Sequence, residues 1–391
     1  MASSDPVRVM VVDDSAVVRG LITRMLEEDP GISVVASVGN GQMALNALER
    51  HSVEVVLLDI EMPIMDGMTA LPKLLQVNRN LQIIMASTLT LKNADISMRA
   101  LEAGAADYIP KPTSTREMTG GGMDFKQELI GKVKALAQRY RTATGGNRAA
   151  PSAGQPVAER SAPSGAAPAA RPAAPRPTTA APGKVAIHPP GPISLRQPSS
   201  DAPDVLAIGS STGGPQALFA VLSGLKGLRQ PILITQHMPA TFTTILAEHI
   251  SRISGIPAAE GKDGEKIQGG RIYVAPGDYH MVVESKGTDK ILRLNQNPPE
   301  NFCRPSVDPM FRSVSAAWGR RVLSLVLTGM GHDGLKGGQA IVAAGGTVVA
   351  QDEATSVVWG MPGAVATAGI CSAVLPLPEI APYIQKLAMR R

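Results

Sequence analysis

Hydrophobic residues in the first third of the chain fall into short unbroken runs, separated by segments of helical period. Residues 8–12 predict a strand ending at Asp13-Asp14, and residues 17–28 predict an amphipathic helix. The pattern repeats as strand 33–37 with helix 41–50, strand 55–58 ending at Asp59, and strand 81–86 ending at Ser87-Thr88. Helix 97–103 and strand 107–109, ending at Pro110-Lys111-Pro112, complete it. The run Val55-Val56-Leu57-Leu58 has no alternation, as expected of a parallel strand covered on both faces. Five strand–helix units predict a doubly wound parallel sheet with right-handed crossovers.

The same grammar resumes after residue 203. Strand 204–208 leads into Gly209-Ser210-Ser211-Thr212-Gly213-Gly214-Pro215 and a helix to about residue 225. Pro215 suits a first helical turn, where its missing N–H costs nothing. Strand 232–235 runs into Gln236-His237-Met238-Pro239, strand 271–275 precedes His280, and strand 321–327 runs into Thr328-Gly329-Met330-Gly331-His332-Asp333-Gly334. Between the halves lie thirteen prolines from 151 to 203, set among Ala, Ser and Gly. Such a segment cannot offset its ordering entropy by burial; as a coil of some fifty residues it would span on the order of 40 Å. The expected division is a first domain over 1–142, a flexible Pro/Ala-rich linker over 143–203 and a second domain over 204–391. An insertion at 113–125, with Gly120-Gly121-Gly122, leaves the last helix of the first domain without a clear start.

Composition narrows the partners. An apolar fraction of 44% excludes a wholly disordered chain. No apolar run approaches the ~20 residues needed to cross a bilayer, and residues 1–10 lack a charged segment followed by an apolar core. Cys303 and Cys371 offer no disulfide framework. A cytoplasmic protein without direct membrane insertion is expected. The net charge of +5 divides into −5 over residues 1–118 and +10 over 119–391. With no dense basic run, zinc finger or recognition-helix pattern, nucleic acid is not an expected partner. The opposite signs suggest instead that the halves attract one another or that the basic half meets an acidic protein.

In doubly wound sheets, ligands bind beyond the carboxyl ends of the strands. Asp13, Asp14, Asp59, Ser87 and Lys111 all fall there. Three crowded carboxylates repel unless a cation intervenes, and Mg²⁺ favours hard oxygen ligands. Lys111 offers a point charge to a phosphoryl group and Ser87 a hydrogen bond. Phosphoryl transfer onto a carboxylate is the implied chemistry, although each Asp taken singly also reads as a helix cap.

In the second domain the turn Gly209–Gly213 fits either an anion cradle or a nucleophile elbow with Ser211 exposed. His237 and Asp333, at two further strand ends, are the base and orienting acid such a serine needs. A lipase-like order would instead use His332 with Asp308. His280 is a weaker candidate, and His51 and His249 read as surface residues.

The segments VVDDS, LLDIEMPIMDG, MAST and DYIPKP, within about 7–140, resemble the signatures of a two-component response-regulator receiver domain. The resemblance implies Asp59 as phosphoacceptor, with a histidine kinase as phosphodonor. It implies Mg²⁺ bound directly by Asp14 and Asp59, through water by Asp13, and by the backbone carbonyl of Glu61. Ser87 and Tyr108 would be the switch pair beside Lys111. From about 203 to 387, IGSSTGGP, ITQHMPATFT, YVAPGDYHM, RPSVDPMF, LTGMGHDG and QDEATSVVWGMP are similar to the catalytic domain of bacterial chemotaxis protein-glutamate methylesterases. Together these imply an α/β protein of two doubly wound parallel-sheet domains, a flavodoxin-like receiver and a Rossmann-like hydrolase. Ser211 would be the nucleophile, His237 the base and Asp333 its orienter, with Thr212 and Met330 shaping the oxyanion site and no cofactor for the ester reaction. Methyl-accepting chemoreceptors would be the substrates, their glutamines also deamidated, and the receiver would inhibit until phosphorylated. His332 stands where the family commonly has Asn.

Overall fold

Each predicted apolar run becomes a strand of one of two parallel sheets. The computed structural model describes residues 5–88, 90–111, 123–145 and 193–389; most of the expected insertion and most of the expected linker lie outside the described residues. The first domain runs β1 (Val7–Val12), α1 (Ala16–Glu27), β2 (Ile32–Val38), α2 (Gly41–Leu48), β3 (Val55–Asp59), α3 (Gly67–Val77), β4 (Gln82–Ser87), α4 (Leu91–Glu102), β5 (Asp107–Pro110) and α5 (Met123–Ala143). Its strand order is β2-β1-β3-β4-β5, with every pairing parallel. Strand order reverses at β1, which opens a crevice beyond Val12 and Asp59.

Local chemistry sets the helix starts. Asn40, Asp66 and Thr90 accept the backbone N–H of Met43, Thr69 and Asn93 at 2.9, 2.7 and 3.2 Å, each satisfying a donor with no partner in the helix. The Thr90 cap explains why α4 begins at Leu91 rather than at the expected residue 97. At Gly67 any β-carbon would overlap the carbonyl oxygen of Asp59, so only glycine lets α3 start this close to the end of β3.

The second domain runs β6 (Val205–Ser210), α6 (Gly214–Ser223), β7 (Ile232–Gln236), α7 (Ala240–Ser254), β8 (Ala258–Glu260), β9 (Ile272–Val274), β10 (His280–Lys286), β11 (Asp289–Asn295), α8 (Val307–Trp318), β12 (Val322–Val326), α9 (Leu335–Ala343), β13 (Thr347–Gln351), α10 (Met361–Thr367), β14 (Ala373–Leu375) and α11 (Leu377–Ala388). Its seven-stranded sheet has the order β14-β13-β12-β6-β7-β9-β8, and β10 and β11 form a separate antiparallel hairpin. Connectivity leaves β6 first toward β7 and later toward β12, so the reversal again faces the carboxyl end of the first strand. Residues 193–203 pack on this domain, Arg196 and Ser199 donating backbone N–H groups to the Cys371 carbonyl and the Thr347 hydroxyl at 2.8 and 2.9 Å.

The two domains share a buried apolar cluster that joins Met98 and Tyr108 to Phe242 and Ile245. The Tyr108 and Phe242 rings stack with centroids 4.6 Å apart. Gln216 donates to the carbonyls of Ala105 and Ala106 at 2.6 and 3.2 Å. His51 is exposed, as expected, but His249 is not a surface residue. Its ring is buried between Asp95 and Glu102 of α4, at 3.0 and 3.1 Å. Helical period locates the polar face of α7, but that face meets the other domain rather than water. Among the described residues no helix is long and apolar enough to cross a membrane.

Candidate active site and phosphoacceptor site

Asp13 and Asp59 are buried at the ends of β1 and β3, with Asp14 exposed beside them, and one oxygen from each lies within 4.8 Å of the others. Lys111 Nζ, carried past the end of β5, bridges Asp13 at 2.6 Å and Asp59 at 2.7 Å. Burial raises the Asp59 pKa, aided by the charge of Asp13 and opposed by Lys111. Burial works against the Lys111 charge, yet its hydrogen bonds to Asp13 and Asp59 leave its pKa raised. Ser87 closes β4, its hydroxyl 3.1 Å from that of Ser97 and its carbonyl accepting the Lys111 N–H at 2.7 Å. The Glu61 side chain turns away to Lys92 at 3.0 Å. Its backbone carbonyl accepts no hydrogen bond among the described residues. Convergent hard oxygens with an uncommitted carbonyl nearby fit a divalent cation such as Mg²⁺.

The glycine turn of the second domain lies edge to edge with the loop after β12. Ser211 N–H donates to the Thr328 carbonyl at 3.0 Å, and the Ser211 carbonyl accepts the Gly214 N–H at 2.7 Å. A β-carbon on Gly329 would come within 2.8 Å of that of Ser211, so glycine is required where the two loops touch. Gly213, at φ 72°, takes the left-handed turn that launches α6. Gln236 ties the turn to β7, its amide donating to the carbonyls of Ser211 and His237 at 2.9 and 3.2 Å. Among the described residues, the backbone N–H groups of Thr212 and Met330 donate to nothing. The Thr212 hydroxyl is buried with no partner among the described residues. Free N–H donors around a serine at such a turn are what an oxyanion site requires.

His237 Nε2 lies 2.8 Å from Asp333 Oδ2. The same carboxylate accepts from Val307 N–H at 2.6 Å, the Ser306 hydroxyl at 2.9 Å and Asp308 N–H at 3.0 Å, so the amino end of α8 points at it. Asn301 and Gly334 add donors at 2.8 and 2.9 Å. Burial disfavours this charge, but the His237 bond and charge, with the helix N–H groups, hold Asp333 down at about 2. Burial likewise disfavours a charged His237, but the neighbouring Cys303 sulfur and Asp333 outweigh it and push the ring up to about 10.

Cys303 Sγ sits 3.4 Å from His237 Nδ1, and the Ser211 hydroxyl makes no hydrogen bond among the described residues. In this state the serine–imidazole bond is therefore not formed. His332 is exposed and forms no pair with Asp308, which binds the Gly337 N–H at 2.7 Å and Asn301 at 3.1 Å. His280 is buried, with Ser306 N–H donating to Nδ1 and Nε2 facing the Pro298 carbonyl, both at 3.2 Å. The lipase-like alternative is thus not assembled.

Sequence reasoning misses Asn301 and Cys303. Asn301 is a central residue of a two-residue turn and Cys303 closes it, exchanging backbone hydrogen bonds with Glu300 at 3.2 and 2.9 Å. The one available signal, an asparagine of the kind that favours turns, says nothing of chemistry.

Residues 206–384 match the family model for CheB methylesterase and residues 9–120 that for the response regulator receiver domain. The chain is 66% identical, over 100% of its length and 98% of the relative's, to protein-glutamate methylesterase/protein-glutamine glutaminase 1 of Paramagnetospirillum magneticum. It is 61% identical to the protein of the same name from Rhodospirillum rubrum, over 99% of this chain and 96% of that one. A crystal structure of the Thermotoga maritima CheB methylesterase catalytic domain is 36% identical with a TM-score of 0.47, covering 48% of this chain and 100% of that chain. Relatives matched from end to end, through both sheets and the segment between, show that the chain belongs to the CheB methylesterase family, with a response-regulator receiver domain preceding the methylesterase domain.

Proposed function

We propose that this protein works in the cytoplasm on methyl-accepting chemoreceptors, hydrolysing their γ-glutamyl methyl esters to carboxylate and methanol. On this reading it also hydrolyses receptor glutamines to carboxylate and ammonia, and phosphorylation of Asp59 by a histidine kinase controls both reactions. The observation that carries the reading is the His237–Asp333 pair at 2.8 Å, beside a serine turn with uncommitted N–H donors. Ser211 attacks the ester carbonyl as His237 Nδ1 takes its proton. With Nε2 held by Asp333, the deprotonated ring offers Nδ1 as its basic nitrogen, which exchanges its Cys303 neighbour for the serine hydroxyl. Thr212 and Met330 N–H groups receive the oxyanion, each such donor contributing about 3–4 kcal/mol. His237 returns the proton to the departing methoxide, and water then cleaves the acyl-serine by the same base.

Control follows from what the receiver covers. A β-carbon on Gly131 of α5 would meet the Met330 sulfur at 2.8 Å, so this helix lies directly against an oxyanion residue. The Tyr108–Phe242 stack reaches α7, which begins three residues after His237. A phosphoryl group on Asp59 competes for Lys111 and draws the Ser87 hydroxyl toward it, and the Tyr108 ring moves into the space released. Mg²⁺, held by Asp14 and Asp59, by Asp13 through water and by the Glu61 carbonyl, would supply positive charge against the phosphoryl oxygens. Moving the docked state from 99:1 to 1:99 takes about 5.5 kcal/mol of differential preference.

Methanol release from methylated receptor membranes, with and without a small phosphodonor and Mg²⁺, tests the reading. Wild type is expected to be stimulated at least tenfold, Asp59→Asn not at all, and Ser211→Ala to release nothing. A normal rate in Ser211→Ala overturns the mechanism; equal stimulation in Asp59→Asn overturns the control.

A further inference from the structure

The turn that holds Asn301 and Cys303 carries a third side chain, one that packs on nothing among the described residues. Phe302 is 99% exposed and stands at φ 62°, next to Asn301 at φ 53°. A two-residue hairpin turn of this hand needs positive φ at both central positions, which favours Asn followed by Gly. Asn301 obeys the rule and uses its amide, bridging Asp333 at 2.8 Å and Asp308 at 3.1 Å. Phe302 breaks the rule, because its β-carbon is strained in the left-handed region, and it buries nothing in compensation. The turn itself is firmly held. Arg312 binds Glu300 through two hydrogen bonds at 3.0 and 2.6 Å, and Arg304 binds Asp278 at 2.6 Å. Strain retained beside catalytic groups, with no internal gain, points to a gain outside the chain.

We propose that Phe302 is a substrate-recognition anchor, its ring packing on the apolar flank of the receptor helix that presents the methylated glutamate. The proposal rests on the methylesterase reading of the same site. Helical neighbours three and four residues from the glutamate stand about 5–6 Å from it, so an aromatic ring on the rim of the active site meets them as the ester enters. An exposed aromatic on a turn whose flanking residues Glu300 and Arg304 are held in ion pairs with Arg312 and Asp278 combines an apolar centre with polar neighbours, the make-up of a binding hot spot. The same turn sets the Cys303 sulfur against His237 and the Asn301 amide against Asp333, so a helix seated on Phe302 is in register with the catalytic pair.

Steady-state methanol release by the full chain, with phosphodonor, separates anchor from scaffold when Phe302→Gly, Phe302→Ser and Phe302→Leu are compared. Leucine and serine keep the backbone strain and differ in apolarity; glycine removes both strain and ring. The glycine and serine variants are expected to raise the KM for methylated receptor about tenfold, equivalent to 1.4 kcal/mol. Leucine is expected to stay within threefold of wild type, and kcat within twofold in all three. The thermal midpoint of the glycine variant should equal or exceed that of wild type. An unchanged KM in Phe302→Gly, or a fall in kcat common to all three variants, overturns the anchor. Wild type that releases no methanol overturns the methylesterase reading and the anchor with it, whereas active wild type matched by Phe302→Gly overturns the anchor alone.

Discussion

Asparagine in place of Asp333 disturbs the arrangement at the point where most contacts meet. Oδ2 accepts from His237 Nε2, the Ser306 hydroxyl and Val307 N–H, and Oδ1 from Asn301, Asp308 N–H and Gly334 N–H. An amide keeps one oxygen and replaces the other by NH₂, so whichever way it turns three donors face a donor. The charge itself contributes as well. The pKa of Asp333 falls from 3.8 to about 2, and at 1.36 kcal/mol per unit this is about 2.5 kcal/mol. The rise of His237 includes the effect of the Cys303 sulfur; the carboxylate's shift is therefore the better measure of the pair, and the two are not added. Because the folded pKa of Asp333 is depressed, its contribution is present above 3.8 and lost as pH falls through about 2. Because that of His237 is raised, the ring's contribution is present below 6.5 and lost as pH rises through about 10. The pair therefore stabilises fully between about pH 4 and 6.5. Adding about 1–3 kcal/mol for donors left unsatisfied in a buried site, Asp333→Asn should cost about 3.5–5.5 kcal/mol at pH 6. Both tryptophans, Trp318 and Trp359, lie in the second domain, so their fluorescence during urea unfolding reports on it alone. A midpoint lowered by roughly 1–3 M is expected for a slope of about 2–3 kcal/mol per M. Methanol release should fall on the order of 10³–10⁴-fold, because the imidazole loses its orienting partner. A midpoint within about 0.3 M of wild type, roughly a quarter of the smallest expected shift, or a rate within tenfold, would refute the reasoning.

Three further outcomes follow from single contacts. A small thiol reagent should block methanol release by capping Cys303 and spare Cys371, which is buried with its thiol pushed up to about 12; activity that survives stoichiometric labelling of Cys303 speaks against its place beside the base. Cys303→Ala should move the rising limb of the pH–rate profile to lower pH, since a sulfur that helps keep His237 charged is gone. Glu102→Gln removes the partner of Arg252 and one of the two acids at His249 and should raise methanol release without phosphodonor about threefold, an ion-pair contribution of roughly 0.7 kcal/mol; an unchanged rate would show that this edge does not hold the receiver down.

The strand ends are legible because parallel strands are unbroken apolar runs, and the residue after each run is where ligands gather. That logic groups Asp13, Asp59 and Lys111 in one crevice, where Lys111 bridges the two acids, and Ser211, His237 and Asp333 in the other, where His237 bonds Asp333 and Ser211 lies on the neighbouring turn, unbonded to the imidazole among the described residues. Helix starts are less legible. Residues 91–96 of α4 mix Leu, Lys, Asn, Ala, Asp and Ile without a clean apolar face, and it is the Thr90 cap that begins the helix there. The hairpin of β10 and β11 goes unpredicted for a related reason. β10 runs from buried to exposed and β11 is half-buried at all but one position, so alternation is weak until the partner strand supplies the other half of the pattern.

His249 and Asn301 show where periodicity stops informing. A helical period says which face of α7 is polar, but the acids that receive His249 come from Asp95 and Glu102, more than a hundred residues earlier. Nothing local distinguishes a polar residue that meets water from one that meets a second domain. Asn301 and Cys303 are still further from any repeat, because a two-residue turn has no period, and its chemistry comes from lying between the loops that follow β7 and β12. Groups that react can be found by their place at strand ends, since the fold class fixes where those ends lie. Groups that restrain them sit wherever the intervening chain happens to pass, and only packing brings them to the site.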